Sequence, residues 1–512
     1  MPGHHSRMYS AVLNRRFWVE AAPLILLGLL PILLYLPFLS SPFERDEGVY
    51  ATVAQGLLDG KVPYRDLFDN KPPLVYGWYA FSFLLFGESV VAPRIVASLL
   101  LSGTTLLLFS EARMVFPRGV AYAAAGIFAV STGLPFVALH ANTEAYMLLP
   151  LVLSLVAFTI GMRHGRLGWF FLAGAMGAIA MMTKQVAVWN LIAMAGVAAF
   201  WHWRAVGLSW RSVLPACSLI GGAVVALGIV TVPFALSGAL DEALYANVSY
   251  NWLYVGFLSR GQQLINLGEG LLFFLAVAGP VVAAAIVGLF VLIRKGKSPA
   301  EYVIALWALA SAAGVASGGR YFPHYFLQLV PALAVLAAVA VYYRYRERYI
   351  HPVGKLPLAI AGFLAIVSLG TNAALYIAPL AAEQRVAANV YEQKQWEEDS
   401  RALGAYIAER TAPNDTIFNL GRESQIYFYA DRRPAVRYFY DWALWYDERN
   451  LPKVMKELRT SMPAYIIDSA QPPLFQDWKK YHPAAFMEFL DKHYEYAGRI
   501  YFADVYRLKT AG

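Results

Sequence analysis

The chain has 512 residues, of which 58% are hydrophobic and only 15% charged; soluble domains carry about a quarter charged residues, so an ordinary soluble domain is excluded and the composition points to the bilayer. The formal net charge of +8 does not describe a nucleic-acid surface, because the basic residues stand in the connections between apolar runs. One cysteine, Cys217, lies inside an apolar segment, which excludes an intrachain disulfide framework or a cysteine-based metal site.

The first apolar run, 17–39, follows Arg15 and Arg16 and ends without a clear small-residue cleavage site, so it reads as a retained anchor. Runs long enough to cross a bilayer, roughly 17 to 25 residues, follow at 92–112, 119–139, 143–162, 167–184, 185–203, 212–236, 267–293, 300–317, 323–343 and 357–379. Their connections alternate: "EARMVFPR", "MRHGR", "HWRAVGLSWR", "RKGK" and "YRYRERYIHPVGK" are basic, whereas "HANTE", "GGRYFPH" and 238–266 are not. Positive-inside asymmetry then places the amino terminus in the cytoplasm and the carboxyl-terminal tail outside, as an odd count of eleven spans requires. Residues 72–87, "PPLVYGWYAFSFLLFG", would invert every later basic loop if counted as a span. They are therefore expected as a helix lying at the outer interface, with Tyr76, Trp78 and Tyr79 at headgroup depth, inside one outer loop at 40–91.

Near residue 384 the composition changes. "EEDSRALGAYIAER" reads as a helix, "DTIFNLG" and "PAYIIDSA" as strands, and "YEYAGRIYFADVYRL" as a terminal strand pair. The expected fold class is an α-helical polytopic membrane protein of about eleven spans at 1–383, followed by an extracytoplasmic soluble α/β domain at 384–512. Within that domain "GRESQIYFYADRRPAVRYFYD" offers aromatic faces and guanidinium groups suited to polyols and anions; a half-buried strand pair with solvated arginines accounts for the same pattern.

The ionisable groups gather near the outer ends of the spans. Residues 46–58 have helical character, with Asp46 and Glu47 in the first turn and Tyr50 one turn on. Two acids there can simply complement the helix dipole. They can equally supply a carboxylate at the membrane surface, as a general base or a cation ligand. Lys71 precedes two prolines that stiffen its turn, which suits it to a lipid phosphate or to ordinary snorkelling. "LHANTEAYM" brings His140, Asn142 and Glu144 into a short turn, "MMTKQVAVW" buries Thr183 and Lys184 between two spans, and "GGRYFPHYF" offers Arg320, Tyr321, His324 and Tyr325. Each has a bland reading as a loop residue, but together they suggest a site for an anionic, hydroxyl-rich substrate carried by the membrane. No P-loop or dinucleotide signature is present, and the histidines show no metal-ligand spacing. No cofactor is implied, and a divalent cation is compatible with the acids but not indicated. Small-residue runs such as "AGAMGAIAMM" read as helix-packing surfaces.

"RDEGVYA", then "DNKPPL" about 25 residues later, an aromatic helix ending in "LLFG", "APRIVASLL", "EARMVF", "TKQ" and "HYFLQLVPALAVLAA" together resemble the bacterial branch of the protein O-mannosyltransferase and aminoarabinose-transferase group, over residues 17 to about 380. The resemblance implies the C-type fold of membrane glycosyltransferases and a sugar donor linked to polyprenyl phosphate. It implies transfer to a glycolipid, glycan or protein hydroxyl on the outer face of the plasma membrane, with no nucleic-acid partner. By that resemblance Asp46 acts at the reacting centre, Lys71 contacts donor phosphate, and Glu144 or Asn142 corresponds to a second acidic turn. Arg320 and His324 would help to stabilise the phosphate, with Glu47, Tyr50, Lys184 and Tyr325 lining or supporting the site. The sequence departs from the aminoarabinose enzymes at Gly48 and Val49, where they carry an arginine, and at Asn70, where they often carry an acid. A transporter or flippase for a lipid-linked sugar or another anionic amphiphile is the alternative from another class.

Overall fold

The computed structural model describes residues 21–134, 140–207, 209–296, 298–347, 394–469 and 483–509. The segment expected to span at 357–379 and the boundary expected near 384 lie outside them. Eight helices among the described residues are long and apolar enough to cross a membrane: α1 (Ala21–Phe38), α4 (Val91–Val115), α6 (Thr143–His164), α8 (Gln185–Val206), α9 (Trp210–Leu236), α12 (Arg260–Lys295), α13 (Pro299–Ala316) and α14 (Pro323–Tyr343). Two shorter apolar helices, α5 (Arg118–Ser131) and α7 (Leu167–Thr183), fall at two other expected spans but, over the described residues, are shorter than the eight.

The exceptional segment behaves as its length dictates. Helix α3 (Leu74–Phe86) has 13 residues, roughly 20 Å at 1.5 Å per residue, too short for a hydrocarbon core of about 30 Å. It begins after Pro72 and Pro73 and ends at Gly87, whose φ of 78° a side-chain-bearing residue adopts only with strain. Helix α12 differs from expectation in the other direction. It runs for 36 residues rather than the 27 of 267–293, because "RGQQLINLGEG" continues the helical pattern upstream. Ser259 caps it by accepting the Gln262 backbone N–H at 3.2 Å. The connection ahead of it, noted in the sequence only as not basic, forms short helices at Leu240–Leu244 (α10) and Tyr250–Gly256 (α11).

Small residues let α7 and α9 touch backbone to backbone. A β-carbon on Gly174 would lie 1.7 Å from the Leu219 carbonyl oxygen, and one on Gly222 would lie 1.9 Å from that of Phe171. The "AGAMGAIAMM" run is thus a packing seam.

The C-terminal domain begins, among described residues, with α15 (Lys394–Ala408) and carries a five-stranded sheet in the order β2-β1-β3-β5-β4. Strand β1 (Thr416–Leu420) runs parallel to β2 (Arg433–Pro434) and β3 (Tyr465–Asp468), while β4 (Tyr494–Ile500) and β5 (Ala503–Leu508) form an antiparallel hairpin joined to β3. Strands β1 and β3 are buried almost throughout, covered by α15, α16 (Gln425–Ala430), α17 (Leu451–Ser461) and α18 (Ala484–His493).

Helix α2 (Arg45–Leu58) joins the two parts, and every residue from Glu47 to Gln55 is buried. Gly48 sits against α16 so closely that a β-carbon would lie 2.3 Å from the Gln425 backbone nitrogen. The Phe43 N–H donates to Tyr429 Oη at 2.6 Å, the Phe68 N–H donates to the Arg437 carbonyl at 2.9 Å, and Arg45 pairs with Glu423 at 3.1 Å. Gly48→Ala should therefore push α16 off α2. Limited proteolysis is expected to release the C-terminal domain about fivefold to a hundredfold faster, as an overpacking cost of about 1–3 kcal/mol allows; an unchanged digestion rate would contradict the close seating.

Candidate active site at the domain junction

The site starts from how α2 begins. Glu44 is its N-cap, and a reciprocal pair fixes the first turn: the Glu44 side chain accepts the Glu47 backbone N–H, and Glu47 Oε2 accepts the Glu44 backbone N–H at 3.1 Å. Glu47 is fully buried and turned into the bundle, where Arg94 Nη2 donates to its Oε2 at 2.7 Å and the Ala141 N–H to its Oε1 at 2.7 Å. His140 Nδ1 lies 3.4 Å away. Burial pushes the Glu47 carboxyl up, but Arg94 and His140 outweigh it and bring it down to about 2. The same contact holds the His140 imidazole above its ordinary value against the pull of burial. Glu47 is therefore a tether for the loop and is not among the residues that line the cavity beside it.

Asp46, one residue earlier, points the other way. It lines a cavity of about 170 Å3 with Glu44, Arg45, Val49, Phe322 and His324 from the membrane part and Arg422, Tyr440 and Trp442 from the C-terminal domain. Its Oδ2 accepts from Tyr50 Oη at 3.5 Å. Tyr50 continues toward Lys71, whose Nζ lies 5.9 Å from the Tyr50 ring centroid.

Lys71 lines a second, larger cavity of about 500 Å3, together with Asn70, Lys184, Gln185, Tyr254, Tyr325 and a mostly apolar remainder. Val248 and Trp252 stand exposed at its edge. The rigid elbow expected from "DNKPPL" is built by hydrogen bonds: Tyr64 and Tyr76 both donate to the Lys71 carbonyl, at 2.8 and 3.1 Å. Asp69 accepts from Tyr76 at 2.8 Å and from Tyr440 of the C-terminal domain at 2.7 Å. Burial pulls the Lys71 ammonium down, but Asp46 and Asp69 outweigh it and hold its pKa above the ordinary lysine range. Asn70 completes the elbow by donating to Asn251 Oδ1 at 3.0 Å.

Glu144 bridges the two cavities from behind. It pairs with Lys184, which lies over the Tyr325 ring at 3.8 Å and lines the larger cavity. It also stands 4.0 Å from His324 Nε2, which lines the smaller one. Asp46, Tyr50, Lys71, Glu144, Lys184, His324 and Tyr325 are thus brought together. Asn142 and Arg320 are not among the lining residues of either cavity. Asn142 is the buried N-cap of α6. Arg320 is held by Tyr446 Oη at 2.9 Å and stacks 3.9 Å from the Tyr254 ring centroid, in an aromatic cage.

Sequence reasoning missed Arg94, Asp69, Arg422, Tyr440 and Trp442. A single arginine within the apolar run "APRIVASLL" was a usable signal, because a charge at that depth needs a partner. The stretch that holds Arg422 and Tyr440 stood out for its aromatic and guanidinium groups, but its pattern did not say which of them reach the membrane part. Among the described residues, no group of three His, Cys, Asp or Glu side chains is arranged to hold a metal ion.

A bundle of long apolar helices thus carries an α/β cap, and at their junction an apolar cavity lined by two lysines stands beside a smaller polar one lined by carboxylates. The family model described as Dolichyl-phosphate-mannose-protein mannosyltransferase matches residues 70–234, so the resemblance seen in the sequence holds. Among solved structures, ArnT from Cupriavidus metallidurans bound to undecaprenyl phosphate is similar over 95% of this chain and 98% of its own, at 14% identity and a TM-score of 0.59. The archaeal oligosaccharyltransferase AglB from Archaeoglobus fulgidus, in complex with an inhibitory peptide and a dolichol-phosphate, is similar over 97% of this chain and 75% of its own, at 13% identity and a TM-score of 0.52. No curated protein sequence matches the chain.

Proposed function

We propose that the chain is an inverting glycosyltransferase that moves one sugar from a polyprenyl-phosphate donor to an acceptor hydroxyl of a glycolipid, glycan or protein. The reaction is placed at the outer face of the plasma membrane, with the amino terminus cytoplasmic and the α/β domain, assigned to 384–512, extracytoplasmic. The observation that carries this reading is the pair of adjoining cavities linked by Asp46, Tyr50 and Lys71. An apolar cavity with exposed aromatic and aliphatic edges suits a prenyl chain, and its two lysines suit the phosphate. That two similar structures hold undecaprenyl phosphate and dolichol-phosphate supports the same class of donor.

A hydroxyl is a weak nucleophile near neutral pH, so Asp46 accepts its proton as the oxygen bonds to the anomeric carbon. The bond from that carbon to the phosphate oxygen breaks, and its electron pair leaves with the lipid phosphate. Lys71 and Lys184 stabilise the departing charge. One displacement inverts the anomeric centre. A transporter would place its binding groups near mid-membrane between related halves; here they converge at the end of the bundle beneath the α/β domain.

Purified protein incubated with a panel of polyprenyl-phosphate sugars and a cell-envelope extract that supplies acceptor hydroxyls should release free lipid phosphate from one of them, and release from none would reject the reading. Lys71→Ala should raise KM for that donor about tenfold to a hundredfold, the equivalent of a charge-assisted hydrogen bond of about 1.5–3 kcal/mol. An unaltered KM would remove Lys71 from the phosphate site.

A further inference from the structure

We propose that Glu44 is a substrate-binding residue of this site, a carboxylic acid with one oxygen fixed by the helix it caps and the other donating a hydrogen bond to a hydroxyl oxygen of the sugar-bearing substrate. The inference rests on the glycosyl-transfer reading and adds to it a second acid with a role different from that of Asp46.

Three observations carry it. Glu44 lines the same small cavity as Asp46. It is only 9% exposed, and its Oε1 is buried with no hydrogen-bond partner among the described residues. A buried acceptor or donor left in that state is costly, and a ligand is the usual remedy at a cavity wall. Third, capping alone does not explain a glutamate here. Asn, Asp, Ser and Thr serve that position better with shorter side chains, whereas the longer one also reaches the cavity.

The surroundings keep this acid neutral. Asp46 and Glu47 stand on its own helix, and Glu47 is committed to Arg94. Of the nearby cations, Arg45 is paired with Glu423 and Arg422 with Asp441. His140, from the turn before α6, is in contact with Glu47, and His324, from the start of α14, stands beside Glu144. Burial first, and then the charge of Asp46, push the Glu44 carboxyl up to about 8 despite His140. Near neutral pH it therefore carries a proton that an ionised acid would lack. An O–H donor on Glu44 beside the acceptor oxygens of Asp46 lets two nearby acids hold one polyol in a single orientation.

The test compares wild type, Glu44→Gln and Glu44→Ala across pH ~6 to ~9.5, using the lipid-phosphate sugar that wild type turns over. Wild-type kcat/KM should fall as the pH rises through about 8. Glu44→Gln, which keeps both a donor and the cap, should lose about threefold and no longer fall there. Glu44→Ala should lose about tenfold or more, the rate equivalent of one hydrogen bond. The infrared difference spectrum of wild type minus Glu44→Gln at neutral pH should show a protonated carboxylic acid carbonyl band. Wild-type kcat/KM in Glu44→Ala, an alkaline fall retained by Glu44→Gln, or a difference spectrum without that band would overturn the proposal. A wild type that turns over no lipid-phosphate sugar rejects the reaction and the substrate named here, while the infrared band still decides whether Glu44 is a neutral acid.

Discussion

Asp46→Asn loses about a thousandfold in kcat, within the range of about 10²–10⁴ that a positioned general base supplies, while binding of the lipid phosphate stays within about threefold. The two halves of this expectation come from different parts of the site. Asp46 faces the small cavity, and its hydrogen bond from Tyr50 is a long one at 3.5 Å. Replacing one carboxylate oxygen by an amide therefore breaks little of the fold. Lys71 loses one of the three carboxylates that support its charge but keeps Glu144 and Asp69, the latter anchored by Tyr76 and Tyr440. Its ammonium stays protonated at neutral pH, so the phosphate keeps its partner. Single-turnover release of lipid phosphate measures the first half, and equilibrium binding of the polyprenyl phosphate alone measures the second. A well-folded Asn variant with wild-type turnover would remove Asp46 from the reacting centre. Joint loss of binding and turnover would make it a donor-site residue instead.

Much of this site was legible because it is local in sequence. The first turn of α2, the proline elbow at Lys71 and the 13-residue α3 each follow from residues a few positions apart. So does the terminal hairpin, whose alternating tyrosines and arginines lie within 15 residues. What stayed hidden is made by pairings across the chain. Tyr440 reaches Asp69 across 371 positions and Arg45 reaches Glu423 across 378. Nothing in "GRESQIYFYADRRPAVRYFYD" marks which aromatic turns toward a membrane loop. That segment is not the strand pair its composition allowed: it holds α16, the two residues of β2 and an irregular run that carries Tyr440 into the small cavity, with Trp442 at the start of the short helix that follows. Glu44 was equally invisible. Beside Arg45, Asp46 and Glu47 it reads as one more interface charge, and only burial separates it from them.

The second large effect is on folding and centres on Arg94. Its guanidinium is fully buried and donates to both Glu47 oxygens, at 3.2 and 2.7 Å, and to the carbonyls of Phe38, Leu39, Ser41 and Pro42. One side chain thus satisfies the carbonyls at the end of α1 and locks the acid that starts α2. Arg94→Ala leaves a buried carboxylate and several carbonyls unpaired, and it should destabilise the protein by about 3–5 kcal/mol. Thermal unfolding in detergent and the yield of monodisperse protein report this loss. The double variant Arg94→Met with Glu47→Leu removes the orphaned charge but not the orphaned carbonyls, so it should recover part of the stability and not all of it. Full recovery would mean that the carbonyl contacts contribute nothing. The pH dependence follows with its sign. Glu47 is lowered from 4.5 to about 2, so its contribution is present above about pH 4.5 and disappears as the pH falls toward 2, an effect on the order of 3 kcal/mol. Acid should therefore unfold the wild type progressively over that window, and Glu47→Gln, already weakened at neutral pH, should show a flatter acid limb.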